Sequence, residues 1–284
     1  MNSILIKSQA PGCNWLEREV KLYAGEPFVG LQNRYDKVST KEKEGIHFGF
    51  TFDLPDAIAH VDAPWSVITP EKEQLPAANR NWMAFERWVD ISNSHKGVTW
   101  TSLEAPLIQW EDMDSVILDG ARQADLWKKK IKDFQKLFSW PLNNHWDTNF
   151  PLEQGGIIKE QYAVSFHDGY NVAAANRFGM EQHRPLVAVK SKVNLIDQSP
   201  FSFDKPGIIV SSITKTNDEE CWIITFRSFS DKKEELKLNW GSIKPESIFD
   251  GNADGPENEV KGNELVINPY GIKMIYVKQA TNFR

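Results

Sequence analysis

The run GIHFGFTFDL, residues 45 to 54, decides how the chain is read. Ile46, Phe48, Phe50, Phe52 and Leu54 alternate with His47, Gly49, Thr51 and Asp53. Successive side chains of a strand point to opposite faces. The period of two therefore predicts a half-buried strand with its aromatics on the core side and His47 turned away.

Similar stretches follow on both sides of it. Strands are expected at REVKLY (18–23), WMAFERWVDIS (82–92), GVTWTSLE (97–104), GIIKEQYAVSFH (156–167), GIIVSSITK (207–215), EECWIITFRSF (219–229), ELKLNW (235–240) and GIKMIYV (271–277), with Pro, Gly and Asn between them. Two segments read as helix. In RQADLWKKKIKDFQKLF (122–138), Trp127, Ile131, Phe134 and Phe138 recur at helical spacing opposite a lysine face, and Pro141 follows. A shorter helix is expected from about Tyr170 to Gln182, with Asp168 as its N-cap. Two prolines in DQSPFSFDKPG (197–207) precede a fresh set of strands, which divides the chain into β domains of 1–200 and 201–284. The fold class is all-β with one or two short helices.

Composition excludes several functions. The 284 residues can bury a sizeable core, and with 40 % hydrophobic and 25 % charged residues no apolar run is long enough to span a bilayer. A net charge of −6 without a basic stripe lacks the electrostatic footprint of a nucleic-acid binder. The start, MNSILIKSQAPGCNW, has too short an apolar run before Lys7 for a signal peptide, so the expectation is a cytoplasmic or mature chain, or one cut from something longer. Cys13 and Cys221 are read as isolated thiols. Eleven Trp and sixteen Phe suit either a β core or a sugar groove, and composition does not separate the two.

The chemical motifs are mostly absent. DGNADG (250–255) matches the first positions of a calcium loop, but the twelfth position is Lys261 and the flanks read as strand, so it is taken as a hairpin. Glu111, Asp112 and Asp114 read as a solvated acidic face. The six histidines, His47, His60, His95, His145, His167 and His183, have no zinc-ligand spacing. There is no G-x-S-x-G elbow or phosphate-cradling glycine loop, and nothing singles out a pair of carboxylates for glycoside hydrolysis. Catalytic residues, metal ligands and cofactors are accordingly predicted as none.

PLNNHWDTNFPLEQGG (141–156) stands apart. Asn143, Asn144 and Asn149 each offer a donor and an acceptor to a hydroxyl, and Trp146 offers a flat face to a pyranose. Equally, the asparagines would tie down a loop while Trp146 joins the core.

NNHWDTNF followed by QGG resembles the N-N-x-W-x-T-N motif in the C-terminal β region of glycoside hydrolase family 38, the α-mannosidases. YDKVSTKEKEGIHFGFTFDLP (35–55), EQLPAANRNWMAFERWVDISNSHKGVTWTSLEAPLI (73–108) and NRFGMEQHRPL (176–186) are similar to it in the same order, and the tail with SITK, ITFRSFS and NPYGIKMIYVK is similar to its terminal β-sandwich. The resemblance implies a galactose mutarotase-like β-supersandwich lacking its earliest strands, followed by a small β-sandwich. It also implies that zinc and the Asp nucleophile belong to a catalytic domain with no counterpart here. Asn143, Asn144, His145, Trp146 and Asn149, with Arg80 and Trp82 next, are then expected to help wall a mannose site. The expected partner is a mannose-containing glycan or a family 38 catalytic domain. A mutarotase-like epimerase and a purely structural β module are the alternatives; the former needs a second His and a Glu converging on the sugar.

Overall fold

The structure is a computed structural model and describes residues 1–113, 127–145, 151–188, 190, 199–217 and 221–279. It is all-β, with a single α-helix among the described residues. The chain divides into two compact units, Met1–Leu186 and Val187–Arg284, so the division falls ahead of the prolines at 200 and 206.

The first unit contains β1 (Asn2–Ala10), β2 (Cys13–Leu22), β3 (Phe28–Lys37), β4 (Glu44–Thr51), β5 (Ile58–Ala63), β6 (Ser66–Ile68), β7 (Met83–Ala84), β8 (Val89–Ser92), β9 (Gly97–Ser102), β10 (Leu107–Trp110), β11 (Lys136–Asn144), β12 (Gly156–His167) and α1 (Val172–His183). An eight-stranded antiparallel sheet runs β1-β2-β3-β12-β9-β8-β5-β6, and a four-stranded sheet runs β4-β11-β10-β7. Their inner faces share one core. Phe50 of β4 meets Trp100 of β9 at 5.3 Å and Tyr162 of β12 at 5.0 Å, both edge-on. Trp100 is fully buried, and the Tyr162 hydroxyl donates to Ser139 Oγ of the facing sheet at 3.2 Å. The alternation in β4 thus does what period two requires: Phe48, Phe50 and, just beyond the strand, Phe52 pack on the core, with His47 on the other face.

The run 82–92 is not one strand. β7 belongs to the small sheet and β8 to the large one, and the chain changes sheets between them. The crossing is pinned where Asp62 N–H donates to Trp88 O and Glu86 N–H to Asp62 O. The helix expected over 122–138 is a larger correction. Residues 127–135 form neither helix nor strand, and 136–138 begin β11; residues 122–126 lie outside the described residues. The backbone N–H groups here find side chains instead of i−4 carbonyls. Ile131 N–H donates to Glu71 Oε1 at 3.1 Å, Asp133 N–H to Glu111 Oε1 at 2.9 Å and Lys128 N–H to Asn81 Oδ1 at 3.1 Å. Ile131 and Phe134 still reach the core, Phe134 edge-on to Trp110 at 5.0 Å, so the apolar spacing is satisfied by an extended segment. Helix α1 forms where expected, but its N-cap is Asn171, whose side chain accepts from Ala173 and Ala174 N–H.

The second unit holds β13 (Phe201–Ser202), β14 (Ile208–Lys215), β15 (Cys221–Ser228), β16 (Glu234–Lys237), β17 (Asn239–Trp240), β18 (Pro245–Asn252), β19 (Gly255–Glu259), β20 (Glu264–Ile267) and β21 (Ile272–Gln279). A five-stranded sheet, β14-β15-β21-β18-β19, is accompanied by the pairs β13-β17 and β16-β20. Ile224, Phe226, Leu236, Leu238, Ile275 and Val277 form its core. DGNADG is the β18–β19 hairpin, with Asp250 salt-bridged to Lys273 at 2.8 Å.

Ile131 is 2 % exposed, so Ile131→Ala removes buried methylenes from a segment that has no helix or strand hydrogen-bond ladder of its own. A loss of about 2–4 kcal/mol is expected in urea denaturation. An unchanged midpoint would mean that 127–135 is not docked on the core.

Candidate functional site

The outer face of the four-stranded sheet gathers rings at one end. In the β4–β11 pairing Phe48 faces Ser139 and Ile46 faces Leu142, so Trp140 and Pro141 together oppose His47. Such a bulge re-aims a side chain. Trp140 stacks on His47 at 5.2 Å with the rings 16° apart. His47 Nε2–H donates to Oε1 of the buried Gln109 at 2.8 Å. Burial lowers the His47 pKa, against a smaller raising effect of the Gln109 bond, and the nearby His145 lowers it further. Trp82 approaches Trp140 edge-on at 6.2 Å, and His145 lies 6.4 Å from it. Gly45 makes this possible. A Cβ there would lie 2.9 Å from Trp140 Nε1, 3.3 Å from His47 Cε1 and 3.4 Å from His145 Nε2.

The residues expected from the sequence separate into groups. Trp82 and His145 converge on Trp140, and Asn143 joins them by accepting His145 N–H at 3.1 Å. Asn144 instead donates to the carbonyls of Thr40 and Glu42 at 3.1 and 3.0 Å, tying down backbone. Arg80 pairs with Glu71 at 2.6 Å, the same carboxylate that caps Ile131, and so helps anchor the 127–135 segment. Trp146 and Asn149 lie outside the described residues. Sequence reasoning did not select His47, Gln109 or Trp140. The alternation of 45–54 had already placed His47 on this face, but its partners come from other strands.

A second constellation lies on the outer face of the eight-stranded sheet. Asp90 is fully buried; it accepts from Ser92 Oγ at 2.7 Å, Thr99 Oγ1 at 2.8 Å and His167 Nε2 at 2.8 Å. The bond to Asp90 raises the His167 pKa, against burial. Gly97 leaves room for this ring, since a Cβ there would sit 2.4 Å from His167 Cε1. Nearby, Asp62 holds Arg87 through two bonds of 2.7 and 3.1 Å. Trp88 Nε1–H donates to Asn176 of α1 at 3.1 Å, and His183 of α1 meets Thr101 Oγ1 at 3.0 Å. Asp62, through Arg87, which also reaches Asn176 at 3.5 Å, helps seat the helix on the sheet, while Asp90 ties β8, β9 and β12 together. Both are fully engaged: each oxygen of Asp62 accepts from Arg87, and each oxygen of Asp90 accepts from a hydroxyl.

Glu160 of β12 is the unusual acid. It is 4 % exposed, Oε2 has no hydrogen-bond partner among the described residues, and burial, then Glu104, pushes its pKa up to about 7. Burial, reinforced by Glu160, also drives the Tyr35 phenol upward. Among the described residues no group of three or more His, Cys, Asp or Glu is placed to hold a metal ion, and no helix is long and apolar enough to cross a membrane.

Two packed antiparallel sheets followed by a smaller β unit define the class to which this fold belongs. The chain matches the structure of an α-mannosidase from Enterococcus faecalis V583 with a TM-score of 0.65 and 10 % identity, over 93 % of this chain and 29 % of that one. It likewise matches a glycosyl hydrolase family 38 protein from Enterococcus faecalis with a TM-score of 0.67 and 10 % identity, over 93 % and 30 %. The chain therefore has the fold of a portion of those proteins and spans less than a third of their length. No protein-family profile matches it, and no curated protein does.

Glu160 gives a pH prediction. The folded carboxyl keeps its proton up to about pH 7, whereas the ordinary value is 4.5, so the folded chain binds more protons between these limits and stability falls as pH rises through them. Glu160→Gln removes that loss. The variant is expected to exceed the parent in stability by roughly 1–2 kcal/mol at pH 8 and by much less at pH 4.5, read from urea denaturation. An equal difference at both pH values would contradict a buried, proton-holding acid.

Proposed function

We propose that the chain is an accessory β region of a family 38-like α-mannosidase, corresponding to the C-terminal part, and that it positions a mannose-containing glycan or docks a catalytic domain while hydrolysis occurs elsewhere. The observation that carries this reading is the match of nearly the whole chain to under a third of two such proteins. The motif NNHWDTNF points the same way, because the strand that carries its first two residues, Asn143 and Asn144, also delivers Trp140 to the ring cluster. Indole and imidazole edges beside an Asn amide suit a pyranose, which has an apolar face and a hydroxyl rim. Asn143, His145 and Trp82 are the proposed contacts, with His47 beside them and Trp146 and Asn149 following in the chain. Asn144 and Arg80 support that wall indirectly.

The zinc expected of a complete enzyme of this family finds no ligand group among the described residues. A second reading draws on one observation. The epimerase alternative needs a second imidazole, and His47 stands beside His145. It also needs a carboxylate, but Glu44 at this strand end is engaged by Lys37.

Three assays on the purified chain separate these readings. With an aryl α-mannoside and zinc, no turnover is expected, and clear turnover would contradict the accessory role. In polarimetry, no acceleration of aldose mutarotation is expected; acceleration would favour the epimerase. Calorimetric titration should detect weak mannobiose binding, reduced at least fivefold, about 1 kcal/mol, by Trp82→Ala without loss of fold. No detectable binding would leave a structural or docking module.

A further inference from the structure

His167 is the last residue of β12, and its ring crosses β9 above Gly97 to reach Asp90 of β8. Asp90 is completely buried, and its other partners, Ser92 and Thr99, are neutral hydroxyls. Among the described residues, His167 is therefore the side chain that brings positive charge into contact with this carboxylate. Few other charges face the ring. The connection from β12 to α1 supplies Asp168 and the backbone of Gly169, and both favour the charged imidazole, more weakly than Asp90 does. β9 contributes only the Thr99 hydroxyl and Gly97. His60 of β5 lies opposite Asp90 in the strand register and feels its charge, but burial keeps the His60 pKa below the ordinary imidazole value. In the β8–β9 turn His95 and Lys96 are exposed, and Lys96 is turned to Asp53 at 3.9 Å.

The residues after His167 carry this contact to the helix. Asn171 caps α1 by accepting from Ala173 and Ala174 N–H. Just before it, Tyr170 lies flat on His60, with ring centroids 3.6 Å and planes 1° apart. The two rings help wall a cavity of about 690 Å³ that Ile58, Ser92 and His95 also line. We propose that His167 and Asp90 form a proton-operated latch on this cavity: the charged pair holds the 168–171 connection so that Tyr170 closes over His60, and loss of the His167 proton loosens the connection and uncovers that wall. The coupling is reciprocal, because groups of the folded connection that favour the imidazolium are favoured by it in turn. The Asp90 bond, above all, raises the His167 pKa above its ordinary 6.5. The added hold is thus fully present below pH 6.5 and is lost as pH rises through the folded value. Each unit of elevation is worth about a tenfold change in the ratio of latched to released chain. Glu160 loses its proton in an overlapping range, but it lies seven residues before His167 in one strand and so on the opposite face of the sheet. The latch does not depend on the mannosidase reading and can fail or succeed without it.

Nuclear magnetic resonance of the full chain, titrated from about pH 5 to 9 to bracket an elevated imidazole, tests the latch. The His167 ring, assigned through its own backbone, should titrate above 6.5. Overhauser contacts between His60 and Tyr170 should weaken with that same pKa. So should the protection of the Ala173 and Ala174 amides, corrected for intrinsic exchange, by about tenfold for one unit of elevation. In His167→Gln, which cannot gain charge but retains Glu160, this fall should disappear. Asp90→Asn keeps the shape of the side chain and should bring the His167 value down by about one unit or more, which covers a His167→Gln variant that fails to fold. A His167 ring titrating at or below 6.5 would overturn the proposal. Contacts and protection that stay constant while the ring titrates, or that fall equally in His167→Gln, would overturn it as well.

Discussion

Phe50 sits in the angle between Trp100 and Tyr162, and the rest of the first unit is arranged around that contact. It joins the two sheets at their middle. Removing such a ring from a core costs about 3–5 kcal/mol, a large share of the net stability of most domains. Its position also fixes the register of β4, because a slip of one residue would carry Phe48 and Phe50 outward and His47 inward. The ring cluster around Trp140 therefore depends on the same packing. The bulge at Trp140–Pro141 only turns a side chain toward a face that the core has already chosen.

The outer face of the large sheet is held differently. Asp62 and Asp90 are fully buried, and each has partners that satisfy its carboxylate oxygens. Leaving either unpaired would cost several kcal/mol, so Arg87, His167 and the polar side of α1 are coupled to these two acids. That layer reads as a seat for a helix. Glu160 stands outside this pattern; it answers burial by holding its proton.

What was legible in the sequence follows from which residues face what. β4 and β12 have one face on the core and alternate visibly, and β12 was read with its observed limits. β1 has exposed residues on both faces, so nothing imposes an alternation on it, while β3 buries Asn33 and Lys37, which obscures its apolar rhythm. Residues 127–135 misled because Trp127, Ile131 and Phe134 have helical spacing, and the carboxylates that capture their backbone, Glu71 and Glu111, lie far back in the chain. The same distance hid part of the candidate site. Trp82, Asn143 and His145 could be picked out beside a motif, but the pairing of His47 with Gln109 spans 62 residues and exists only once β4 and β10 share a sheet.

The functional reading thus combines a fold shared with part of two much longer hydrolase-family proteins and a cluster of rings and amides at one sheet end. Both require that β4 present its phenylalanines to one side and His47 to the other. Nuclear Overhauser contacts in the labelled chain test this most directly. The account predicts contacts from Phe50 to Trp100 and Tyr162, and from the His47 ring to the Trp140 indole. Contacts from His47 to Tyr162 or Trp100, with Phe50 facing solvent, would contradict it.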